Sequence, residues 1–578
     1  MCAAFQDTVA AMGEQVALRT KGDAMRITWR EYGERVRRIA AGLAALGVRP
    51  GSCVGILMCN RPEFNLVDTA AMHLGGVPFS MYLTSSPEQI QYFVRDSGAA
   101  VLATERVHLP RLRAMNLGIE TFITVDGEAD GALSLAQLEE RGRPDFDFDA
   151  AWRAVTPDSL LTLIYTSGTT GDPKGVELTH ANMIAEVRAF QAVRQLEGEL
   201  RVISYLPHAH AADRFGTHYL PMTTGGSVTA CPDPRLLFEH VPEVRPTQFT
   251  GVPRVWEKLK AALEAKFAAE PPEKRAMIQA ALEAALAKVR LEQAGQPVPE
   301  ALAAGVARAE QLMFAPLRAA LGLDQSRSFF VGAAPSTREV LEFFFALGMP
   351  ICEVWGMSEL SCVATAMPLG TNRIGTVGVA LPGIELRIAD DGELLARGPV
   401  VMRGYRNKHE QTRDTIDADG WLHTGDVAEI DSDGFVRIVD RKKELIINAG
   451  GKNMSPANIE ARIKASSPLI GQAAVIGDAK PYNVALLVLD PDGAMAFCRA
   501  RGIDQPLPAL VEHPEVCVEI ARAVAAANEH LSRIEQIKRY ALLPAEWLPG
   551  GDELTPTMKL KRKAISAKYA PQIAALYA

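Results

Sequence analysis

The chain has 578 residues, of which 48% are hydrophobic and 22% charged, so it is globular in composition and too long for one hydrophobic core. Its formal net charge of −8 argues against nucleic acid as the main partner, because phosphate binding needs a clustered basic surface. The eight cysteines form no CxxC pair and no His/Cys metal spacing, and no apolar run approaches the ~20 residues of a membrane span.

The N-terminal segment lacks the basic start and apolar core of a signal peptide, and the scattered cysteines are typical of reduced thiols. We therefore expect a cytoplasmic protein, and we leave peripheral membrane contact open.

Helical patterns and short apolar runs alternate between residues 28 and 104. The runs "CVGILM" and "AAVLAT" flank helical stretches such as "EYGERVRRIAAGLAALG". The alternation recurs from 159 to 356, where "RVISYLP", "SVTAC" and "PTQFTGVP" are strand candidates. This pattern predicts βαβ units and a mostly parallel sheet.

Residues 255–323 are rich in Ala, Glu, Lys and Leu and form a predicted helical insertion. Leu282, Leu286 and Val289 recur there at helical spacing. The helices either pack on the adjoining sheet or serve as a lid or membrane contact, and the sequence leaves both interpretations open.

From about 375 to 439 the chain is β-rich, with "DDG" and "SDG" triplets that suit tight hairpins. The charged stretch at 440–443 follows, and then a smaller αβ region. We therefore predict a large domain over 1–439, a hinge at 440–443 and a small domain over 444–578.

The segment "YTSGTTGDPKG" follows an apolar strand and combines glycines, hydroxyls and a lysine. Backbone N–H groups in such a turn can converge on an oxyanion, and hydroxyls and a lysine add donors and charge. The spacing is not that of a Walker loop, because Pro173 precedes Lys174 and Gly175 follows it. The candidate phosphate ligands are Ser167, Gly168, Thr169, Thr170, Gly171 and Lys174.

This loop resembles the phosphate loop of the adenylate-forming superfamily, which includes acyl-CoA synthetases, adenylation domains of peptide synthetases and luciferases. The resemblance continues in family order through "GAAPSTREVLEFFFALGMPICEVWGMSE", "GWLHTGD", "DRKKELI" and "LTPTMKLKR". It implies an α/β fold: a large N-terminal domain with two doubly wound αβ sheets and a small β-barrel-like subdomain, followed by a smaller mobile α+β domain.

The resemblance implies ATP and Mg²⁺ as cofactors. A hard cation wants a carboxylate and hydroxyls, and the family position for that carboxylate is Glu359, shared with Thr166. The ring of Trp355 could stack on a purine. The residues implied to line the nucleotide and acyl pockets are Gly332, Ala333, Ala334, Trp355, Gly356, Met357 and Ser358.

The resemblance places the ribose on Asp426, since one carboxylate can bind two adjacent hydroxyls. Arg441 matches an arginine that touches ribose or phosphate, and Lys443 matches the hinge position. The catalytic lysine of the family aligns with Lys559, although Met558 stands where the family usually has Gly; Lys561 is the alternative.

The stretches "YLPHAHAADR", "GVPRVWEKL" and "GGKNMSPANIE" resemble the long-chain fatty acid–CoA ligase branch. That branch implies a long-chain fatty acid, ATP and CoA as substrates, with His210 near the acyl entrance. Trp256 either gates the acyl tunnel or packs at a helix start. Gly450 and Gly451 would allow close approach of the pantetheine arm, and Lys452 either meets a CoA phosphate or is a solvated surface residue.

The predicted reaction is formation of acyl-AMP with loss of pyrophosphate, followed by acyl transfer to the CoA thiol. One alternative is a fatty acyl-AMP ligase that passes the acyl group to a carrier protein. A non-catalytic binding protein of the same fold is disfavoured, because Lys559, Glu359 and Asp426 are all present. The sequence leaves the acyl chain length and homodimer formation open.

Overall fold

The computed structural model describes residues 1–166, 172–194, 199–447, 453–555 and 558–578. Up to residue 194, strands and helices alternate. The strands are β1 (Val16–Thr20), β2 (Arg26–Thr28), β3 (Cys53–Leu57), β4 (Val77–Ser80), β5 (Val101–Thr104), β6 (Thr121–Thr124), β7 (Leu133–Ser134), β8 (Leu160–Thr166) and β9 (Lys174–Thr179). The helices are α1 (Cys2–Met12), α2 (Trp29–Ala45), α3 (Pro62–His73), α4 (Pro87–Ser97), α5 (Leu109–Ala114), α6 (Leu135–Glu140), α7 (Phe148–Arg153) and α8 (His180–Arg194).

The next part of the chain, up to residue 366, continues the alternation and includes the helical segment. Its strands are β10 (Arg201–Ser204), β11 (Ser227–Ala230), β12 (Gln248–Gly251), β13 (Ser328–Val331), β14 (Ile351–Glu353) and β15 (Thr365–Ala366). Its helices are α9 (Ala211–Asp213), α10 (Leu220–Thr224), α11 (Leu237–Val244), α12 (Pro253–Ala268), α13 (Pro272–Gln293), α14 (Glu300–Ala309), α15 (Ala315–Leu321) and α16 (Arg338–Ala346), with a π-helical turn over Arg214–Tyr219.

The remainder of the chain is first β-rich and then mixed. Its strands are β16 (Val379–Ala380), β17 (Glu385–Ile388), β18 (Glu393–Arg397), β19 (Gly404–Tyr405), β20 (Leu422–Ile430), β21 (Val436–Arg441), β22 (Ile446–Ile447), β23 (Asn453–Met454), β24 (Ile470–Ile476), β25 (Asn483–Leu489) and β26 (Ile537–Leu543). Its helices are α17 (His409–Thr415), α18 (Pro456–Ala465), α19 (Pro491–Arg501), α20 (Leu507–Leu510), α21 (Pro514–Glu529), α22 (Arg562–Lys568) and α23 (Ala570–Tyr577).

Eight strands form the central sheet in the order β19-β9-β8-β4-β3-β5-β6-β7. Strands β8, β4, β3, β5, β6 and β7 run parallel to one another, whereas β9 runs antiparallel to both β8 and β19. Helix α2, which packs against α3 and α6, begins at a capping box in which Thr28 and Glu31 exchange side-chain and backbone hydrogen bonds. The predicted βαβ architecture of the large domain is confirmed.

Two smaller sheets complete the α/β part, in the orders β10-β11-β1-β2 and β12-β13-β14. The predicted helical insertion forms α12 to α15. Within it Val289 is buried, and Leu282 and Leu286 pack against a core that contains Trp256 and Phe344. The insertion therefore packs on the adjoining sheet, which is the first of the two interpretations that the sequence left open.

The β-rich region forms an antiparallel sheet in the order β17-β18-β20-β21. Its hairpins turn at Gly392 and Gly434, both of which have positive φ, as the "DDG" and "SDG" triplets predict.

Residues 446–577 contain the parallel and antiparallel pairs of a three-stranded sheet, β24-β25-β26, with α18, α19 and α21 packed around it. Two ion pairs connect this part to helix α12 of the large domain. Arg254 pairs with Asp490, and Lys258 lies 2.7 Å from Asp492. Among the described residues, no helix combines the length and apolar character needed to cross a bilayer.

Candidate active site

A cavity of about 110 Å³ lies where the small domain meets the large one. It brings together four residues that the sequence analysis selected from three separate motifs and from the branch-specific stretch. They are Thr166, His210, Ser358 and Lys559. The other lining residues are Tyr82, Ser85, Gln89, Phe93, Ile164, Tyr165, Pro173 and Ala211.

Thr166 and Lys174 stand at the base of the phosphate-loop hairpin. They face each other as the last paired residues of β8 and β9. The Lys174 ammonium lies 4.4 Å from the centre of the Tyr405 ring, and partial burial lowers the pKa of Lys174 while Glu359 opposes that shift. The predicted phosphate ligands Ser167, Gly168, Thr169, Thr170 and Gly171 lie outside the described residues.

Glu359 lies on a 3₁₀ turn over Ser358–Leu360, just after the "WGM" residues. It is buried, and its Oε1 accepts a hydrogen bond of 2.8 Å from the Tyr405 hydroxyl. Met357 begins the turn, since its carbonyl accepts from the Leu360 N–H. The turn thus places a buried carboxylate next to Ser358, which lines the cavity.

Asp426 lies in strand β20 directly after Gly425, which has positive φ. Its two oxygens have different partners: the Trp355 indole N–H donates to Oδ2 over 2.7 Å, and Arg441 Nε lies 2.7 Å from Oδ1. Stacking of the Trp355 ring on a purine stays a prediction, and its indole N–H in addition orients the carboxylate expected to bind ribose. Each carboxylate oxygen keeps a lone pair for a further donor.

Gly356 allows the backbone to pass close to a neighbouring loop. A Cβ at this position would lie 2.0 Å from the carbonyl oxygen of Cys362. The segment Gly332, Ala333 and Ala334 is accessible beside the carboxyl end of β13, and Ala333 has a φ of +72°. A non-glycine residue at positive φ is strained, and such strain is concentrated at functional sites.

His210 caps helix α9, with its Nδ1 accepting from the Ala212 N–H over 3.1 Å. Its other nitrogen, Nε2, then carries the proton of the neutral ring. Burial lowers the pKa of His210 to about 4, Lys559 adds to the effect, and Asp213 opposes it. The imidazole is therefore a neutral hydrogen-bond donor beside the cavity at physiological pH.

Lys559 comes from the small domain and lines the cavity, whereas the Lys561 ammonium donates to the Gly551 carbonyl over 2.8 Å. Desolvation in the cleft and the charge of Arg441 lower the pKa of Lys559, while Asp426 and Glu359 raise it. The residue is exposed in the open cleft, so water offsets part of that desolvation. Met558 adopts a φ of +65°, which is the conformation that a glycine would supply at this position.

The predicted hinge residue Lys443 is exposed and follows strand β21 by two residues. Beyond it, Arg562 pairs with Glu444 and with Glu460, which connects the start of the small domain to its last helices. The predicted CoA-contacting residues Gly450, Gly451 and Lys452 lie outside the described residues.

The oxygen donors near Glu359 fit a magnesium ion that is held mainly by nucleotide phosphates. Among the described residues, no group of three or more His, Cys, Asp and Glu side chains could hold a metal on its own. One carboxylate and one or two hydroxyls are what a Mg²⁺ site takes from the protein when phosphates and water supply the rest. Glu359 and Thr166 are donors of these two kinds, and their role as ligands stays a prediction.

A buried polar network beneath the site is not visible in the sequence. Asp68 on α3 lies 2.7 Å from Arg214 and 2.9 Å from His218 on the π-helical turn, and these side chains are at most 1% exposed. Only the alternation of charged and apolar residues in 208–219 could have indicated this network.

Trp256 is fully buried, with its indole N–H donating to the Phe330 carbonyl. This burial agrees with the interpretation that Trp256 packs at the start of its helix.

The chain matches two family models: AMP-binding enzyme over residues 5–406, and AMP-binding enzyme C-terminal domain over residues 443–578. It is 50% identical over 485 residues to a protein of Mycobacterium tuberculosis H37Rv named "Putative fatty-acid–CoA ligase fadD11", which covers 84% of each chain. It is 35% identical over 565 residues to the long-chain-fatty-acid–CoA ligase FadD15 of the same strain, which covers 95% of this chain and 92% of the relative.

Solved structures with the same fold share less sequence. The anthranilate CoA ligase AuaEII in complex with anthranoyl-AMP superposes with a TM-score of 0.74 at 20% identity, covering 100% of this chain and 98% of that one. The o-succinylbenzoate-CoA synthetase MenE of Bacillus subtilis, in complex with ATP and magnesium ion, gives a TM-score of 0.69 at 20% identity, over 97% and 98% of the two chains. These likenesses confirm the predicted fold class.

Proposed function

The chain belongs to the AMP-binding enzyme family, and on that premise we propose that it is a long-chain fatty acid–CoA ligase. It activates the acid with ATP as acyl-AMP, releases pyrophosphate, and transfers the acyl group to the CoA thiol. The observation that carries this proposal is the position of Lys559, a small-domain residue that lines one cavity with Thr166, His210 and Ser358 of the large domain.

In the first half-reaction a carboxylate oxygen of the acid bonds to the α-phosphorus, and the bond from that phosphorus to the bridging oxygen of pyrophosphate breaks. Two anions approach each other in this step. Lys559 lines the cavity between the domains, from where its ammonium can stabilise the charge that builds up on the transferred phosphoryl group. Lys174, at the base of the phosphate hairpin, then binds the departing pyrophosphate.

Asp426 is the residue we assign to the ribose hydroxyls. The Trp355 indole and the Arg441 guanidinium each hold one of its oxygens, so the carboxylate is oriented before the nucleotide arrives. A preorganised acceptor pair loses little entropy on binding.

Glu359 and Thr166 are the residues that would hold the magnesium ion of the ATP complex. The ion, when bound, neutralises phosphate charge and orients the triphosphate. Glu359 is already buried, and the Tyr405 hydroxyl holds one of its oxygens beside Ser358 of the cavity wall.

His210 is neutral at physiological pH, so it does not compete with Lys559 for the phosphate charge. Its Nε2–H can donate to the carboxylate of the acid. This orients the nucleophilic oxygen without neutralising it.

In the second half-reaction the thiol sulfur bonds to the acyl carbon, the carbon–oxygen bond to AMP breaks, AMP leaves with the electron pair, and the thiol proton passes to solvent. The proposal includes rotation of the small domain about Lys443 between the two half-reactions, which removes Lys559 from the cavity and admits the thiol. Gly450 and Gly451 are assigned to the pantetheine arm in that arrangement.

A cytoplasmic location belongs to the same proposal, because ATP and CoA are available there. The eight cysteines are all free thiols in the structure, which supports a reducing compartment. Peripheral contact with a bilayer is consistent with delivery of a long-chain acid, and co-sedimentation of the protein with anionic vesicles measures it.

Pyrophosphate release, measured over saturated acids from acetate to very long chains with and without CoA, tests the function. We expect the rate of pyrophosphate release to rise with chain length into the long-chain range. We expect repeated catalytic cycles only when CoA is present. Hydroxylamine trapping should detect acyl-AMP before CoA is added and lose it afterwards. Acyl-AMP that persists in the presence of CoA would contradict the proposed acceptor.

A further inference from the structure

Tyr405 connects two of the predicted site residues. Its hydroxyl donates to Oε1 of Glu359 over 2.8 Å, and the Lys174 ammonium lies 4.4 Å from the centre of its ring. The residue is 5% exposed. A single side chain therefore lies between the lysine that ends the phosphate hairpin and the carboxylate expected to hold the metal.

Strand pairing determines this position. Strand β19 runs antiparallel to β9, with Tyr405 opposite Val176. Lys174 precedes Val176 by two residues, so it lies on the same face of the sheet and is the diagonal neighbour of Tyr405. The Arg406 N–H donates to the Gly175 carbonyl over 2.7 Å, which fixes the strand end against the hairpin.

A second backbone contact fixes the carboxylate side. The Met402 N–H donates to the Glu359 carbonyl over 2.9 Å. The segment that carries Tyr405 is thus hydrogen-bonded to the hairpin at one end and to the Glu359 turn at the other, which fixes the backbone from which the phenol projects.

The phenol can act only as a donor toward Glu359. An ionised carboxylate has no proton to give, so the Tyr405 hydroxyl is the donor in this hydrogen bond. The structure records no hydrogen bond to Oε2 of Glu359 from the described residues. The phenol thereby holds one oxygen of a buried carboxylate.

We propose that Tyr405 is a positioning residue for the metal–nucleotide complex: its hydroxyl sets the orientation of Glu359 for the magnesium ion, and its ring holds Lys174 toward the triphosphate. The inference rests on the proposed function, in that it assigns the metal and the triphosphate to this cavity. A residue that only packs in the core would have no such effect on metal affinity.

Two variants separate the roles of the hydroxyl and the ring. Tyr405→Phe removes the hydrogen bond to Glu359 and keeps the ring beside Lys174, whereas Tyr405→Leu removes both. The probe is Mn²⁺ with α,β-methylene-ATP, and free Mn²⁺ is measured by electron paramagnetic resonance, so that no turnover is needed. Nucleotide binding without metal is measured in EDTA by calorimetry.

For Tyr405→Phe we expect Mn²⁺ affinity in the ternary complex to fall about tenfold, because a hydrogen bond to a charged group contributes ~1.5 kcal/mol. Its metal-free nucleotide affinity should equal that of the wild type. For Tyr405→Leu we expect the same loss of metal affinity together with a several-fold loss of metal-free nucleotide affinity. Tyr577→Phe, which removes a tyrosine hydroxyl bonded to the Ile476 carbonyl at the far end of the chain, is the matched control and should change neither.

Thermal unfolding shows whether the variants are folded, and either variant alone tests the metal prediction. Wild-type Mn²⁺ affinity in a folded Tyr405→Phe protein would overturn the proposal. So would an equal loss of the two half-reactions, because formation of thioester from supplied acyl-AMP uses neither Glu359 nor Lys174. If the wild type released no pyrophosphate with any acid, the proposed function would fail while the metal and nucleotide titrations still decided the role of Tyr405.

Discussion

Two lysines close together in the sequence have different surroundings, and this difference matters for the chemistry. Lys559 lines the cavity, whereas Lys561 is hydrogen-bonded to a carbonyl of its own domain. A cation affects a phosphoryl transfer only where it can approach the reacting oxygens, so position and not charge alone selects the residue.

Lys559→Ala should slow pyrophosphate release about 10²–10³-fold, because it removes the cation that stabilises the transition state. Thioester formation from supplied acyl-AMP and CoA should change less than twofold. Lys561→Ala is the comparison and should slow neither half-reaction appreciably. The reverse outcome, in which Lys561→Ala blocks adenylation and Lys559→Ala does not, would assign the reacting cation to Lys561.

His180, the first residue of α8, makes stability depend on pH. It is buried, and burial lowers the pKa of its imidazole from 6.5 to about 3. Between those values the unfolded chain binds a proton that the folded chain does not. The free energy of unfolding therefore falls as pH drops from about 6.5 toward 3, and it is unaffected by this group above 6.5.

Replacing His180 by Gln should remove that dependence. Relative to the wild type, the free energy of unfolding of His180→Gln should rise by about 2 kcal/mol when the pH is lowered from 7.5 to 5.0. Urea denaturation at the two pH values measures the change. The exposed His530→Gln variant should follow the wild type, and a parallel shift in both variants would contradict the assignment.

At the scale of elements, the Asp68–Arg214–His218 network joins helix α3 to the π-helical turn that follows the His210 segment. Arg214 also donates to the Tyr219 hydroxyl over 2.8 Å and to Ser80 over 3.1 Å. A buried guanidinium that has lost its carboxylate is far more costly than a broken surface pair.

Asp68→Ala should lower the free energy of unfolding by about 3–5 kcal/mol, because it leaves Arg214 buried without its carboxylate. Asp145→Ala removes the partner of Arg143 in an exposed pair, with side chains 73% and 72% exposed, and should change stability by less than ~0.5 kcal/mol. Urea denaturation compares the two. Similar effects of both variants would mean that the buried pair contributes no more than the exposed one.

The sequence predicted elements where local patterns are sufficient. The runs "CVGILM", "AAVLAT" and "SVTAC" became β3, β5 and β11, since short apolar runs bounded by turns are typical of buried parallel strands. Motifs likewise selected Thr166, Lys174 and Lys559. Tyr405 was missed, because its role depends on pairing between β19 and β9, which are more than two hundred residues apart in the sequence. The contact of Trp355 with Asp426 was missed for the same reason.

At the scale of the whole molecule, the described arrangement places Lys559 at the cavity, which under the proposed function is the arrangement for adenylation. The small domain also approaches the large one at Gly550, whose φ is +77°. A Cβ there would lie 2.6 Å from the Thr84 carbonyl oxygen. This position therefore needs glycine in the present arrangement of the domains.

Gly550→Ala should slow adenylation at least tenfold and leave thioester formation from supplied acyl-AMP within twofold, because the added methyl obstructs only the arrangement seen here. Gly502→Ala is the matched control: its φ is +67° and a Cβ there meets nothing within 4 Å. It carries the same backbone strain in the same domain and should not separate the two half-reactions. Equal loss of both half-reactions in Gly550→Ala would point to misfolding of the small domain instead.

Arg441 has two neighbours of different kinds, since it is paired with Asp426 and lies two residues before Lys443. If the bound ribose contacts Arg441 and rotation of the small domain moves it, then nucleotide binding and the angle between the two domains are thermodynamically linked. Linkage is reciprocal. The factor by which the present arrangement of the domains raises nucleotide affinity is also the factor by which a bound nucleotide favours that arrangement. Binding of ATP then also favours the present arrangement, so arrival of the substrate itself prepares the small domain for the first half-reaction.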